Sequence, residues 1–265
     1  INQGKDFSEV PGIEYRHRTK PALKWDVNTA KPTEYNTSFV TFSTHGCKGQ
    51  CSFCNIGRRQ GSLRYRNIPD IINEIRQFHE IPGFVSHFRF GDPSFDSNSP
   101  ERMKKILRAI IKELPGHTFG ANFRPDFHKM ADAELMELLY KSGCTYALVG
   151  VESANADDLA LFNKRTTVED AEKTIALLKD IDACISIGFI NLAPTTTLQG
   201  LGENLLFLQR HHLATYDTFT QKLILFPDAP IKQKLLKEGL LWGGLNYEFR
   251  DLTVKALVMV LNDIE

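Results

Sequence analysis

The chain has no excess of charge of either sign: Lys+Arg and Asp+Glu each number 32 among its 265 residues. That balance leaves no electrostatic footprint for nucleic acid or for an anionic membrane surface. No apolar run approaches the roughly 18 residues that a membrane-spanning helix needs, and no signal-peptide pattern opens the sequence. Five cysteines make an odd set for a disulfide framework, and Cys144 and Cys184 lie in apolar strand-like runs where a free cysteine behaves as a small hydrophobe. The eight histidines form no ligand-spaced group: His211 and His212 are adjacent, while His17, His45, His79, His87, His117 and His128 are scattered. No internal repeat and no low-complexity stretch interrupts the chain. What remains is a sequence 42% hydrophobic and 24% charged, able to bury one substantial core, with its thiols in a reducing, cytoplasmic compartment. It opens at Ile1 in a polar stretch that reads as a linker over residues 1–35, which points to a segment of something longer.

Cys47, Cys51 and Cys54 place three soft ligands within eight residues, in the string Thr44-His45-Gly46-Cys47-Lys48-Gly49-Gln50-Cys51-Ser52-Phe53-Cys54. An apolar strand-like run, Phe39 to Phe42, comes just before them. Thiolates select zinc or iron–sulfur clusters among the common metals. A cubane cluster normally takes one cysteine per iron, so three cysteines leave one iron open to a small molecule. The alternative is a Cys₃His zinc site completed by His45, which would make the chain a zinc-stabilised binding module without catalysis. Against it, structural zinc draws its ligands as separated pairs, no second pair appears, and His45 is only two residues from Cys47.

The CxxxCxxC spacing, with Phe53 directly before the last cysteine, resembles the radical S-adenosylmethionine (SAM) superfamily. The resemblance implies an oxygen-sensitive 4Fe–4S cluster on Cys47, Cys51 and Cys54, with the amino and carboxylate groups of SAM on the fourth iron. One electron would then cleave SAM to methionine and a 5′-deoxyadenosyl radical that takes hydrogen from a substrate carbon. Such chemistry belongs to a cofactor and not to side chains. The same resemblance implies a small-molecule or peptide substrate and an electron donor such as flavodoxin or ferredoxin.

Strand-like runs at Ser38–Ser43, Val85–Phe90, His117–Asn122, Thr145–Val151, Ala183–Ile190 and Thr218–Phe226 alternate with amphipathic helical patterns, predicting repeated βα units and a parallel sheet. Helix starts are marked by Asn67 before Pro69, by Ser99-Pro100-Glu101, and by a capping-box pair of Thr166 with Glu169; Gly143 marks a helix stop. Six units are too few for a closed eight-stranded barrel. The α/β fold expected is therefore a partial (β/α)6 TIM-like barrel over residues 36–228, followed by a C-terminal helical extension over 229–265. The resemblance implies the same fold.

In such barrels the chemistry gathers at the C-terminal ends of the strands. The second strand ends in Gly91-Asp92-Pro93, which looks like the counterpart of the family's Gly-Gly-Glu motif at the SAM amino group. Glycine there lets backbone approach a ligand closely. After the third strand, Arg124 has the fork geometry to pair with a carboxylate of SAM or substrate. The fourth ends in Gly150-Val151-Glu152-Ser153, a string that resembles the family's contact to the SAM ribose or methionyl group; without that resemblance, Ser153 and Asn155 are ordinary helix caps. The segment Phe162–Thr167 resembles the stretch before the next helix, where Lys164 or Arg165 would reach the SAM carboxylate. The expected cofactor contacts are thus Phe53, Gly91, Asp92, Arg124, Glu152, Ser153 and Arg165. Upstream, Asp6–Arg16 is similar to the connector that follows a cobalamin-binding domain in one subfamily. That implies cobalamin for methyl transfer or radical rearrangement, with a cobalamin-independent peptide maturase as the alternative.

Overall fold

The computed structural model describes residues 39–80 and 86–264; the expected linker and the Asp6–Arg16 connector lie outside these described residues. In chain order come β1 (Phe39–Thr41), β2 (Thr44–His45), α1 (Ile56–Gln60), β3 (Arg64–Tyr65), α2 (Ile68–His79), β4 (His87–Phe90), α3 (Pro100–Glu113), β5 (Thr118–Phe123), α4 (Ala133–Lys141) and β6 (Cys144–Glu152). There follow α5 (Ala156–Leu161), α6 (Val168–Lys179), β7 (Cys184–Phe189), α7 (Leu198–Arg210), α8 (Tyr216–Thr220), α9 (Ile231–Lys237), β8 (Leu241–Trp242), β9 (Asn246–Tyr247) and α10 (Leu252–Ile264). Strands β1-β4-β5-β6-β7 lie side by side in that order, every pairing parallel.

Parallel strands are covered on both faces, and these carry apolar side chains accordingly. Phe88 and Phe90 on β4 and Phe119 on β5 are buried against one another, and Phe95 and Phe127 fill the space at the strand ends. The helices close one face with Ile71, Ile75, Met103, Ile106, Leu135, Leu139, Ile175 and Leu178, all buried in the same core. Ser99 caps α3 by accepting from the Arg102 N–H, as its sequence predicts. The capping box of α6 falls one residue later than the sequence suggests: Thr167 and Asp170 bond reciprocally, while Thr166 is buried and Glu169 pairs with Lys173 at the surface.

The largest departure is the sixth strand. Residues 218–226 do not form it. Thr215 and Thr218 cap each other and start the short helix α8, so the chain returns to the sheet only at a single parallel bridge, Leu192 to Lys222. A Thr three residues after a Thr is a helix-start signal that overrides the β-propensity of the apolar residues behind it. Leu223 and Leu225 are nevertheless buried, in a second cluster with Phe162, Ile231 and Leu235. The fold is α/β, a five-stranded parallel sheet of partial-barrel type, open along β7. α10 packs Val254 and Val258 on Leu192 and Leu201, beyond the end of that open edge. Among the described residues no helix is long and apolar enough to cross a membrane.

Candidate functional site

The cysteine loop leaves the C-terminal end of the sheet. β2 and β3 pair as a small antiparallel ladder at its base, and the Gly46 N–H, at a φ of 91°, donates to Gln60 Oε1 at 2.7 Å. Its middle is stitched to the far side of the sheet: Ser52 N–H to the Phe162 carbonyl at 2.8 Å, Ser52 Oγ to the Leu161 carbonyl at 2.6 Å, and Ile231 N–H to the Ser52 carbonyl at 2.8 Å. Phe53 meets Phe162 edge-on, with centroids 5.5 Å apart. A segment with little secondary structure of its own is thus held by contacts more than a hundred residues away in sequence.

Cys47, Cys51 and Cys54 are free thiols, all part-buried. The Gly49 N–H donates to Cys47 Sγ at 3.3 Å and the Ile56 N–H to Cys54 Sγ at 3.4 Å, bonds that favour a thiolate. Burial pushes the Cys54 thiol up, and the neighbouring Cys51, Cys47 and Glu152 charges push it the same way despite the Ile56 N–H. A cationic centre among the sulfurs reverses that cost. A cubane takes its thiolates one per iron, and three are present. His45 is not turned into a fourth ligand position but stacks on Phe42, centroids 6.0 Å apart. The donor set therefore fits an iron–sulfur cluster better than a Cys₃His zinc site.

Asp92 sits directly beneath this loop. The side chain is fully buried, and Oδ1 accepts from Ser43 N–H at 3.1 Å and from Thr44 Oγ1 at 2.6 Å, with the Thr44 N–H closer still. Its carboxylate is engaged by the strand-to-loop turn, and its backbone carbonyl accepts from Asn122 Nδ2 at 2.8 Å. Gly91 has no room for a side chain: a Cβ there would come within 2.7 Å of the Phe42 ring and of Val40 Cγ1.

On the opposite side, β6 ends in Glu152 at a φ of 72°, a left-handed conformation that is uncommon outside glycine. Lys164 Nζ donates to Glu152 Oε1 at 2.9 Å, both side chains nearly buried. Gly150 makes room for the pair, since a Cβ there would lie 3.0 Å from Glu152 Oε1 and 3.1 Å from Lys164 Nζ. Arg124 closes the group, with Nε on Asp126 Oδ1 at 3.0 Å and Nη2 on the Lys164 carbonyl at 3.2 Å. Arg165, by contrast, is exposed and donates from Nε to Asn163 Oδ1 at 3.2 Å. Phe162, Lys164 and Thr166 are buried while Arg165 between them is exposed, the chain turning through positive φ at Asn163 and Arg165.

Ser153 points into a buried polar network. Its Oγ lies 2.9 Å from Asp158 Oδ2 and 3.0 Å from Asn204 Oδ1, and Asn204 also accepts from Ala154 N–H and donates to Asn191 Oδ1. A hydroxyl has one hydrogen for these two acceptors, so a proton on Asp158 completes the network. Burial accordingly pushes Asp158 up to about 6, with Ser153 pulling the other way. An acid raised in the folded state contributes stability at low pH that is lost as pH climbs from about 4 to about 6, worth roughly 3 kcal/mol for two pKa units. Asp158→Asn is therefore expected to melt higher than wild type at pH 7.5, by roughly 2–3 kcal/mol of stability, with the gain vanishing near pH 4. Thermal melts of both proteins across that range check it; equal melting at pH 7.5 refutes it.

Between the loop and the open edge lies a cavity of about 640 Å³. It begins at Phe53 and Glu152, follows β7 along Ile185 and Ile187, and is bounded on its outer side by Gln221 and Leu223. Of the residues expected to contact a cofactor, Phe53, Arg124 and Glu152 gather around the loop and the cavity mouth. Gly91 backs the loop, Asp92 and Ser153 are turned into the protein, and Arg165 faces outward.

Comparison with known proteins places this geometry in context. The Radical SAM superfamily model matches residues 41–208. A bacteriochlorophyllide d C-12(1)-methyltransferase of Chlorobaculum tepidum is 28% identical over 212 residues, covering 79% of this chain and 43% of the relative. An anaerobic magnesium-protoporphyrin IX monomethyl ester cyclase of Cereibacter sphaeroides is 27% identical over 207 residues, 77% of this chain and 33% of the relative. The chain thus spans less than half the length of these curated relatives. Among solved structures, the cobalamin-dependent S-adenosylmethionine radical enzyme OxsB shares the fold with a TM-score of 0.72 at 18% identity, over 85% of this chain and 40% of that one. The radical S-adenosylmethionine methyltransferase TsrM of Kitasatospora setae does so with a TM-score of 0.62 at 17% identity, over 77% and 37%.

Proposed function

The chain belongs to the radical SAM superfamily, and from that premise we propose that Cys47, Cys51 and Cys54 hold a 4Fe–4S cluster whose open iron takes SAM at the mouth of the β7 cavity. The observation that carries the reading is the loop of three thiols, with N–H donors on two of them, pinned beside that cavity. With both groups bound, the site supplies a 5′-deoxyadenosyl radical that takes hydrogen from a substrate carbon, chemistry outside the reach of side chains. The protein's own residues do the rest. Phe53 and the apolar side chains of β7 line the cavity, the Gly91 backbone packs against Phe42 and Val40 at the root of the loop, and the Glu152–Lys164 pair would offer SAM an acceptor for ribose hydroxyls and a cation for its carboxylate. Asp92 and Ser153 act from behind, on the loop and on the end of β6.

The substrate we propose is a small molecule of natural-product or cofactor biosynthesis, changed by methyl transfer or radical rearrangement. Both relatives described above act on tetrapyrroles, and both solved neighbours are enzymes in which cobalamin is bound. These likenesses support a parent enzyme that uses cobalamin, carried by a domain ahead of residues 1–35, with the barrel at 36–228 and the helical extension at 229–265. Elemental analysis of the full-length parent, purified without oxygen, tests this. About four irons per chain support the cluster, and cobalt beside them supports the cobalamin branch over the peptide maturase. One zinc and no iron overturns the enzyme reading.

Glu152→Ala is expected to keep the iron and weaken SAM binding at least tenfold, roughly the 1.4 kcal/mol of one hydrogen bond to a charged group. Titration of the reconstituted protein with SAM measures it, and an unchanged affinity refutes the role.

A further inference from the structure

Two of the three nitrogens of the Arg124 guanidinium are already engaged, Nε by Asp126 Oδ1 and Nη2 by the Lys164 carbonyl. The third is turned toward the cysteine loop. A Cβ on Gly49 would lie 2.9 Å from Arg124 Nη1, 3.4 Å from Cys47 Sγ and 3.8 Å from Cys51 Sγ. One methyl-sized gap therefore separates the guanidinium from both sulfurs, and glycine at position 49 keeps that gap narrow and open. The side chain is 11% exposed, so water screens its charge poorly. The guanidinium holds its proton more firmly than usual: burial works against this, and Asp126, Cys51 and Asp96 outweigh it. The loop segment adds no countercharge of its own, since no Asp or Glu lies between Glu34 and Asp70.

We propose that Arg124 sets the reduction potential of the site: its buried positive charge, fixed by Asp126 and held against Cys47 and Cys51, eases the addition of one electron to the cluster those cysteines carry. The inference rests on the cluster reading above. Reduction adds one electron, delivered by a low-potential one-electron donor of the ferredoxin or flavodoxin class, and lowers the charge of cluster plus thiolates by one. No bond breaks and no proton moves. A cation alongside stabilises the more negative state by more, which is how charge around an iron–sulfur cluster sets its potential. Arg124 is in this account a positioning and tuning residue.

The test is a dithionite titration of the anaerobically reconstituted full chain, followed by electron paramagnetic resonance, with iron counted in each sample and no SAM added. Arg124→Gln is expected to retain its iron and to lower the equilibrium constant for reduction about tenfold, a fall of about 59 mV for a one-electron couple. Arg124→Lys restores most of it. Asp126→Asn keeps an acceptor for Nε but removes the offsetting negative charge, so its potential is expected to move upward, a sign that loss of structure does not produce. Equal potentials in wild type and Arg124→Gln at equal iron content overturn the proposal and leave the cluster standing. If Arg124→Gln fails to hold a cluster, Asp126→Asn decides alone: an upward shift supports the proposal and an unmoved potential overturns it. A wild type that takes up no iron overturns the cluster reading and this inference together.

Discussion

Cys51→Ala is expected to emerge from anaerobic reconstitution almost colourless, with iron falling from about four per chain to well under one. Cys51 is the middle thiol of a loop whose other two sulfurs accept N–H bonds, from Gly49 at 3.3 Å and from Ile56 at 3.4 Å. Removing it leaves two thiols on one short loop, too few to hold a cubane that is already one ligand short. The fold is not expected to fail with the metal. Cys51 belongs to none of the buried clusters, and the loop is pinned through Ser52 and Phe53, which the substitution leaves alone. The controls are the remaining cysteines. Cys184 is exposed, and Cys144 is a buried hydrophobe whose thiol burial pushes up to about 12, so Cys184→Ala and Cys144→Ala are expected to keep their iron. Iron and sulfide assays with far-ultraviolet circular dichroism decide the matter; a brown, iron-replete Cys51→Ala removes the cluster from this loop.

The parts of the molecule legible in the sequence are those with short-range causes. The alternation of apolar runs gave β1, β4, β5, β6 and β7, and Ser99 and Asn155 marked helix starts through bonds that span three residues. The cysteine spacing is local too, and it located the loop. What stayed hidden is what depends on partners distant in the chain. Thr218 belongs by propensity to a strand, yet its hydroxyl is held by Thr215 and by the Leu213 carbonyl, and the sheet loses its sixth member to that turn. By its string Ser153 is a cap or a cofactor contact, and its hydroxyl in the fold meets Asp158 and Asn204, which come from two different helices. Lys164 and Arg165 are indistinguishable as neighbours in a string. Only the packing of Phe162 shows that the lysine turns inward to Glu152 while the arginine stays in water.

Asp92→Ala is the other substitution with a large expected effect, and it acts on the loop through the backbone. The carboxylate accepts from the N–H groups of Ser43 and Thr44 and from both of their hydroxyls, all of them buried. The hydroxyls can turn to new partners, as Ser43 Oγ already accepts from Asn98 Nδ2 at 2.8 Å. The two N–H groups cannot, and a buried donor left unpaired costs about 1–3 kcal/mol. Set against this, burial pushes the Asp92 acid up from its usual 3.8 despite those four bonds, so the anion is held at some expense and its loss returns part of the penalty. The donors win, because there are two of them and the pocket they line is closed. The expected net loss is about 2–4 kcal/mol, a fall of roughly 5–15 °C in the melting temperature for a chain of this size. Since the folded acid binds its proton more tightly than the unfolded one, wild type gains stability as pH falls toward 4 while the variant gains nothing there. The deficit is therefore larger at pH 5 than at pH 8. The first segment to loosen is expected to be the turn that carries the cysteines, so limited proteolysis between Ser43 and Cys54 rises and reconstituted iron is retained less well. Equal melting temperatures at both pH values refute the brace, and a variant that melts early yet keeps its loop uncut and its iron complete separates the stability of the sheet from the integrity of the site.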